Sequence, residues 1–135
     1  MHRRTTLLVS LLLIVITGAA LYVGLTGSHT ALNGCDPTKH YAEHVVTITG
    51  GKPSETQTIG KLCETFTVTN NDATPREIAF GAHDHHMAYD GVEEKLLAKG
   101  KSKGKSLTVT LDKTGRYHWH DHLHDEVEGY LTVTK

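Results

Sequence analysis

The sequence predicts an all-β sandwich carried behind one apolar segment of membrane-spanning length. Two observations predict the sandwich. Short runs of β-branched and aromatic residues alternate apolar with polar, and Gly, Asn and Pro turn signals separate them. A third predicts the leading segment: Leu7 to Leu25 contain no charged residue. With 135 residues in all, the chain has room for one globular domain beyond that segment.

Residues 1–26 read as a membrane anchor or signal segment. The apolar run spans roughly 28 Å as a helix at about 1.5 Å per residue, close to a bilayer's hydrocarbon thickness. Arg3 and Arg4 precede it and favour an N-terminus inside, which puts everything after Gly27 outside the cytoplasm. A cleaved secretory signal is the alternative, leaving a secreted or periplasmic protein with the same topology. Residues 27–43 are polar and rich in turn formers, and read as a linker. The exported side holds both cysteines, Cys35 and Cys63, and an oxidising compartment makes a disulfide between them the expectation. Lipidation of Cys35 is the competing fate, since Leu32 to Cys35 has the shape of a lipid-attachment box.

The domain is expected over residues 44–135. Candidate strands run through Val45–Ile48, Leu62–Val68, Arg76–Phe80, Leu107–Leu111, Arg116–Asp121 and Tyr130–Thr134. Turns are marked by Gly50 to Pro53, by Asn70 to Asp72 and by Thr114 with Gly115. Val92 to Ala98 reads as one or two helical turns. Strand phase places Phe66 with Val68, Ile78 with Phe80, and Leu107 with Val109 and Leu111 in the core. It also turns Tyr117 and Trp119 inward and His118, His120 and His122 outward.

The charge balance excludes one class of partner. With 14 basic and 15 acidic residues, the chain carries a net charge of −1 and has no basic face for nucleic acid. Lys95, Lys99, Lys101, Lys103 and Lys105 cluster between strands and read as a solvated loop.

Histidine is the informative residue. Seven of the eleven histidines fall in two stretches, His83 to His86 and His118 to His124. Neutral imidazole presents a lone pair near pH 7. On a strand, i and i+2 imidazoles share a face, roughly 6.5–7 Å apart along the chain. His83 and His86 lie just beyond a strand, in a loop that Gly81 lets turn. Convergence of the two stretches would put His83, His86, His120 and His122 on one ion, with His85, His124 and Asp121 as second choices. A nitrogen-rich set without thiolate suits copper, with zinc as the alternative. Asp125, Glu126 and Glu128 nearby would attract cations and accept imidazole N–H groups.

Two passages resemble the cupredoxins, the β-sandwich family of plastocyanin and the multicopper-oxidase domains. One is Val68 to Phe80, with Asn70, Asn71, Pro75, Ile78 and Phe80. The other is Gly115 to His124 followed by Gly129 to Val133. The resemblance implies a Greek-key cupredoxin-like sandwich over most of residues 44–135. It also implies a blue-copper centre of His, Cys, His and Met, which this chain departs from. Arg76 stands in the first His position and Asp121 in the Cys position, and only His124 matches. Both replacements point inward by phase, so an Arg76–Asp121 ion pair is expected to fill the emptied site. Asp121 as an oxygen ligand is the other reading. His120, Asp121 and His122 also resemble the His-Cys-His of multicopper oxidases, whose flanking histidines bind copper on the outward side.

The leading expectation is a membrane-anchored extracytoplasmic protein, not an enzyme, that binds, buffers or delivers a metal, copper before zinc. A protein partner for metal transfer and a homo-oligomer are possible accompaniments. Two other classes stay open: a redox protein or small oxidase with an all-histidine copper, and a structural sandwich with no metal.

Overall fold

A computed structural model describes residues 34–99 and 105–135. The apolar segment at 7–25, where a membrane anchor or signal segment is expected, lies outside the described residues. Among those described there is no helix, and none therefore long and apolar enough to cross a membrane.

The described residues form ten strands in order: β1 (Glu43–Thr49), β2 (Lys52–Pro53), β3 (Gln57–Lys61), β4 (Thr65–Asn70), β5 (Arg76–Ala82), β6 (His85–His86), β7 (Glu94–Leu97), β8 (Ser106–Thr110), β9 (Gly115–Asp121) and β10 (His124–Thr134). They form two sheets. One has the order β2-β1-β4-β8 and the other β3-β10-β9-β5-β6, with β7 also on β5. Two pairings are parallel, β1 with β4 and β3 with β10, so the sandwich is not purely antiparallel.

The core lies between the sheets, where strand phase predicts it. Val46, Ile48, Phe66, Val68, Val109 and Leu111 from one side meet Ile78, Phe80, Trp119, Val127 and Leu131 from the other, all fully or almost fully buried. Phe66 and Trp119 meet across the gap with ring centroids 6.2 Å apart. Each such side chain contributes about 1.5–3 kcal/mol by leaving water. Gly129 admits the indole: a Cβ there would come within 2.7 Å of Trp119.

Several elements differ from the sequence expectation. The stretch expected to hold helical turns is strand β7, because Arg76 to Ala79 of β5 offers it an unpaired edge. Leu62 to Glu64 is a turn before β4, with Cys63 at φ 75°. The last strand starts at His124, earlier than expected, and runs through an irregularity between His124 and Glu128. The short β2, β3 and β6 carry no clear sequence signal. Cys35 and Cys63 are joined, which ties the segment before β1 to the β3–β4 turn.

Candidate metal centre

Strand β9 carries the candidate site on its outer face and a buried ion pair on its inner one. Ile78 to Phe80 of β5 pair with Asp121 to Trp119, so the end of β9 lies beside the point where β5 turns back into β6. That turn depends on Gly81, which has φ 94°. A Cβ at Gly81 would collide with the His85 carbonyl and reach 3.0 Å from the Met87 nitrogen, so no other residue fits without strain. The tight return lays His83 and His86 over the outer face of β9, where the two histidine stretches meet.

The result is a cluster of five imidazoles. His83 stacks on His122 at 4.6 Å between centroids, His86 lies 4.9 Å from His122 and 5.3 Å from His120, and His118 stacks on His120 at 5.6 Å. His120 is at the centre. It faces away from the sandwich core, as strand phase predicts, yet only 2 % of it is exposed because the other histidines cover it. His118 was outside the expected ligand set, although it shares the phase of His120 and His122.

Hydrogen bonding fixes which nitrogens remain free. The Gly81 carbonyl accepts from Nδ1 of His118 at 2.9 Å and from Nδ1 of His120 at 3.1 Å. A carbonyl only accepts, so Nδ1 of His120 carries its proton and Nε2 of the neutral ring bears the lone pair. That Nε2 is buried and has no hydrogen-bond partner. Burial pushes the His120 pKa below its ordinary 6.5. The Gly81 carbonyl opposes this, and the neighbouring His118, His86 and His83 rings reinforce it. Both circumstances hold His120 neutral, the form that binds metal.

Ligand atoms of His83, His120 and His122 lie within 4.8 Å of one another. Nitrogens on a tetrahedral ion at about 2.0 Å are separated by about 3.3 Å, so side-chain shifts on the order of 1 Å would close the set. Acidic residues surround it. Asp125 lies 3.1 Å from Nδ1 of His83, Glu128 lies 2.7 Å from Nε2 of His118, and Glu94 lies 3.6 Å from Nδ1 of His86. A carboxylate on the far nitrogen of a ligating imidazole orients the ring and raises its basicity toward a metal, which is the part Asp125 can play for His83. His118, held by Gly81 on Nδ1 and Glu128 on Nε2, has no nitrogen left for an ion. Glu94 had no sequence signal, since its place depends on the β5–β7 pairing.

The inner face is different. The Asp121 carboxylate, with no exposed surface, accepts from Arg76 Nη1 at 3.0 Å, His124 Nδ1 at 3.0 Å, and the backbone N–H groups of Glu77 and Leu123 at 2.9 and 3.1 Å. Arg76 also donates to Asp72 at 2.7 Å. Asp72 in turn accepts from the N–H groups of Gly50 and Gly51. The interior place where the family resemblance would put a blue copper thus holds the Asp72–Arg76–Asp121 chain of charges. That set does not fit such a copper: it has no thiolate, the chain's two cysteines are bonded to each other, and Arg76 brings a fixed positive charge.

The structure therefore brings His83, His86, His120 and His122 together. It leaves the second-choice groups out of the cluster. His85 is exposed beside Asp84, while Asp121 and His124 bond each other below the sheet.

Comparison with solved structures agrees with this architecture. A Cu(I) form of an amicyanin variant matches with a TM-score of 0.55 at 21 % identity, over 68 % of this chain and 82 % of that one. The purple cupredoxin from Nitrosopumilus maritimus matches with a TM-score of 0.55 at 20 % identity, over 67 % of this chain and 99 % of that one. The chain has the cupredoxin fold. Likeness at this level carries the fold alone. No protein-family model and no curated protein matches the sequence. This cupredoxin-fold chain has no free cysteine to serve as a thiolate ligand, and its histidine-only donor group lies on the outer face of β9.

Proposed function

We propose that the protein binds a divalent transition metal, copper in the first instance and zinc as the alternative, on the outer face of β9. His83, His120 and His122 are its ligands, with His86 beside them. The observation that carries this reading is Nε2 of His120, a lone pair buried among imidazoles with no hydrogen-bond partner. Leaving such a group unpaired costs about 1–3 kcal/mol, and a bound ion removes that cost. An imidazole donor set favours copper in the intrinsic affinity order. The role is binding, buffering or delivery of the metal outside the cytoplasm, from a membrane anchor at residues 7–25. The Cys35–Cys63 bond supports an oxidising compartment.

Electron transfer is the second reading. It is favoured by fold neighbours whose structures are described as Cu(I), reduced and oxidized forms of amicyanin. Here the copper would be bound by histidine alone, without the thiolate chemistry of a blue site.

The test is titration of the purified full-length chain with Cu(II) and Zn(II), beside a His120→Ala/His122→Ala variant. Tight stoichiometric binding that the variant loses is the expected result. Equal, weak binding by both would leave a histidine-rich surface and no site. Reversible bleaching of the copper spectrum by a mild donor would move the reading toward electron transfer.

A further inference from the structure

The donor groups on the outer face outnumber what one ion needs. Beside His83, His120 and His122 lies a second group, His86, Glu94 and His122, whose ligand atoms also fall within 4.8 Å of one another. The two groups share His122. Its Nδ1 is hydrogen-bonded to Nε2 of His86 at 3.2 Å, a contact that an ion would replace at nearly the same separation, since two nitrogens on one tetrahedral ion lie about 3.3 Å apart. Glu94 approaches from β7, on the opposite side of β5 from β9, and supplies the only carboxylate in either group.

From this juxtaposition we infer that the outer face holds two divalent cations, with the His122 ring between them. The inference rests on the proposed binding of the first metal at His83, His120 and His122. One nitrogen serves one ion, so His122 joins both groups by giving Nδ1 to the ion beside His86 and Nε2 to the ion beside His120. The bridged ring gives up its remaining proton to water. The charges favour this arrangement. Glu94 contributes a negative charge at the second position, and Asp125 and Glu128 offset the first. Two dications placed this close would otherwise repel one another. The two positions also differ in kind. The first is nitrogen-only and centred on a buried ring. The second contains an oxygen donor and is open to water through the half-exposed Glu94. It is the position from which an ion would exchange.

The experiment is Cu(II) titration of the full-length chain, with metal content and electron paramagnetic resonance read together. Native protein is expected to take up two equivalents. Two Cu(II) ions joined by one imidazole couple magnetically, so the integrated signal should fall well below the copper content. Glu94→Gln lies on an exposed strand position and should leave the fold intact. It is expected to retain one equivalent, with an uncoupled signal that accounts for all of the copper. One equivalent in the native chain, unchanged by Glu94→Gln, would overturn the pair and leave the single-metal reading standing. Two equivalents with a signal equal to the copper content would overturn the bridge. No uptake by either protein would overturn both readings.

Discussion

Asp121 and His120 are neighbours on one strand, both buried, and they face opposite sides of the same sheet. Asp121 has every acceptor position engaged: a guanidinium, an imidazole and two backbone N–H groups. His120 has one nitrogen held by a backbone carbonyl and the other facing no partner. A saturated buried polar group is architecture, because its environment has already met its needs. Arg76 Nε and Trp119 Nε1 are also buried without partners, but both are N–H donors, whereas Nε2 of His120 bears a lone pair that a metal ion would engage. The difference separates what keeps this sandwich folded from what it is fit to bind. It also locates the departure from a blue-copper protein on the inner face, with the binding chemistry on the outer.

Substitutions on the two faces should therefore behave differently. The largest effect is expected on the inner one. Asp121→Ala leaves Arg76 buried beside two freed backbone N–H groups, and should cost about 3–5 kcal/mol in chemical denaturation. A variant as stable as the native protein would mean that Arg76 finds other partners. Gly81→Ala should affect both stability and binding, because the Gly81 carbonyl anchors His118 and His120 while its φ of 94° shapes the β5–β6 turn. It should cost about 1–3 kcal/mol and weaken Cu(II) binding as well. Unchanged affinity would show that the turn does not position the cluster. Asp125→Asn acts on the outer face alone. Loss of the carboxylate on His83 should weaken metal binding by about tenfold, with stability within about 0.5 kcal/mol of native.

The smallest effect is a pH dependence that belongs to the inner face. The Gly51 N–H holds the Asp72 carboxyl below its ordinary 3.8. Burial opposes this, and the Gly50 N–H and Arg76 reinforce it. A lowered folded-state pKa means that the unfolded chain takes up the proton first. The Asp72 contribution is therefore present above pH 3.8 and is lost as pH falls below it. Unfolding free energy measured from pH 5 downward should fall less steeply in Asp72→Asn than in the native chain. Equal slopes would remove Asp72 from the account.

Much of the inner face was legible in the sequence, and less of the outer. Period-two alternation is a local property, so Tyr117 and Trp119 could be placed inside and the histidines opposite from β9 alone. The same phase, with the resemblance to cupredoxins, placed Arg76 and Asp121 together. What depended on pairing across long separations was hidden. The parallel pairs β1–β4 and β3–β10 leave no local trace, and the Glu94 to Leu97 strand forms because β5 offers it an edge. The burial of His120 was missed for a related reason. Strand phase says which way a side chain points. It does not say that a neighbouring turn, held by Gly81, will fold His83 and His86 over it.

The most direct test compares metal-induced stabilisation of the native chain with that of His120→Leu. His120→Leu gives up the Nδ1–H bond to Gly81, whose carbonyl keeps His118, and removes the unpaired Nε2, so the metal-free protein should stay within about 1 kcal/mol of native. At Cu(II) concentrations of about 100 times Kd the native protein should gain roughly 2.7 kcal/mol in unfolding free energy. His120→Leu should gain almost nothing at the same concentration. If both proteins gained equally from Cu(II), the unpaired nitrogen of His120 would not be the centre of a binding site, and the division between the two faces would fail.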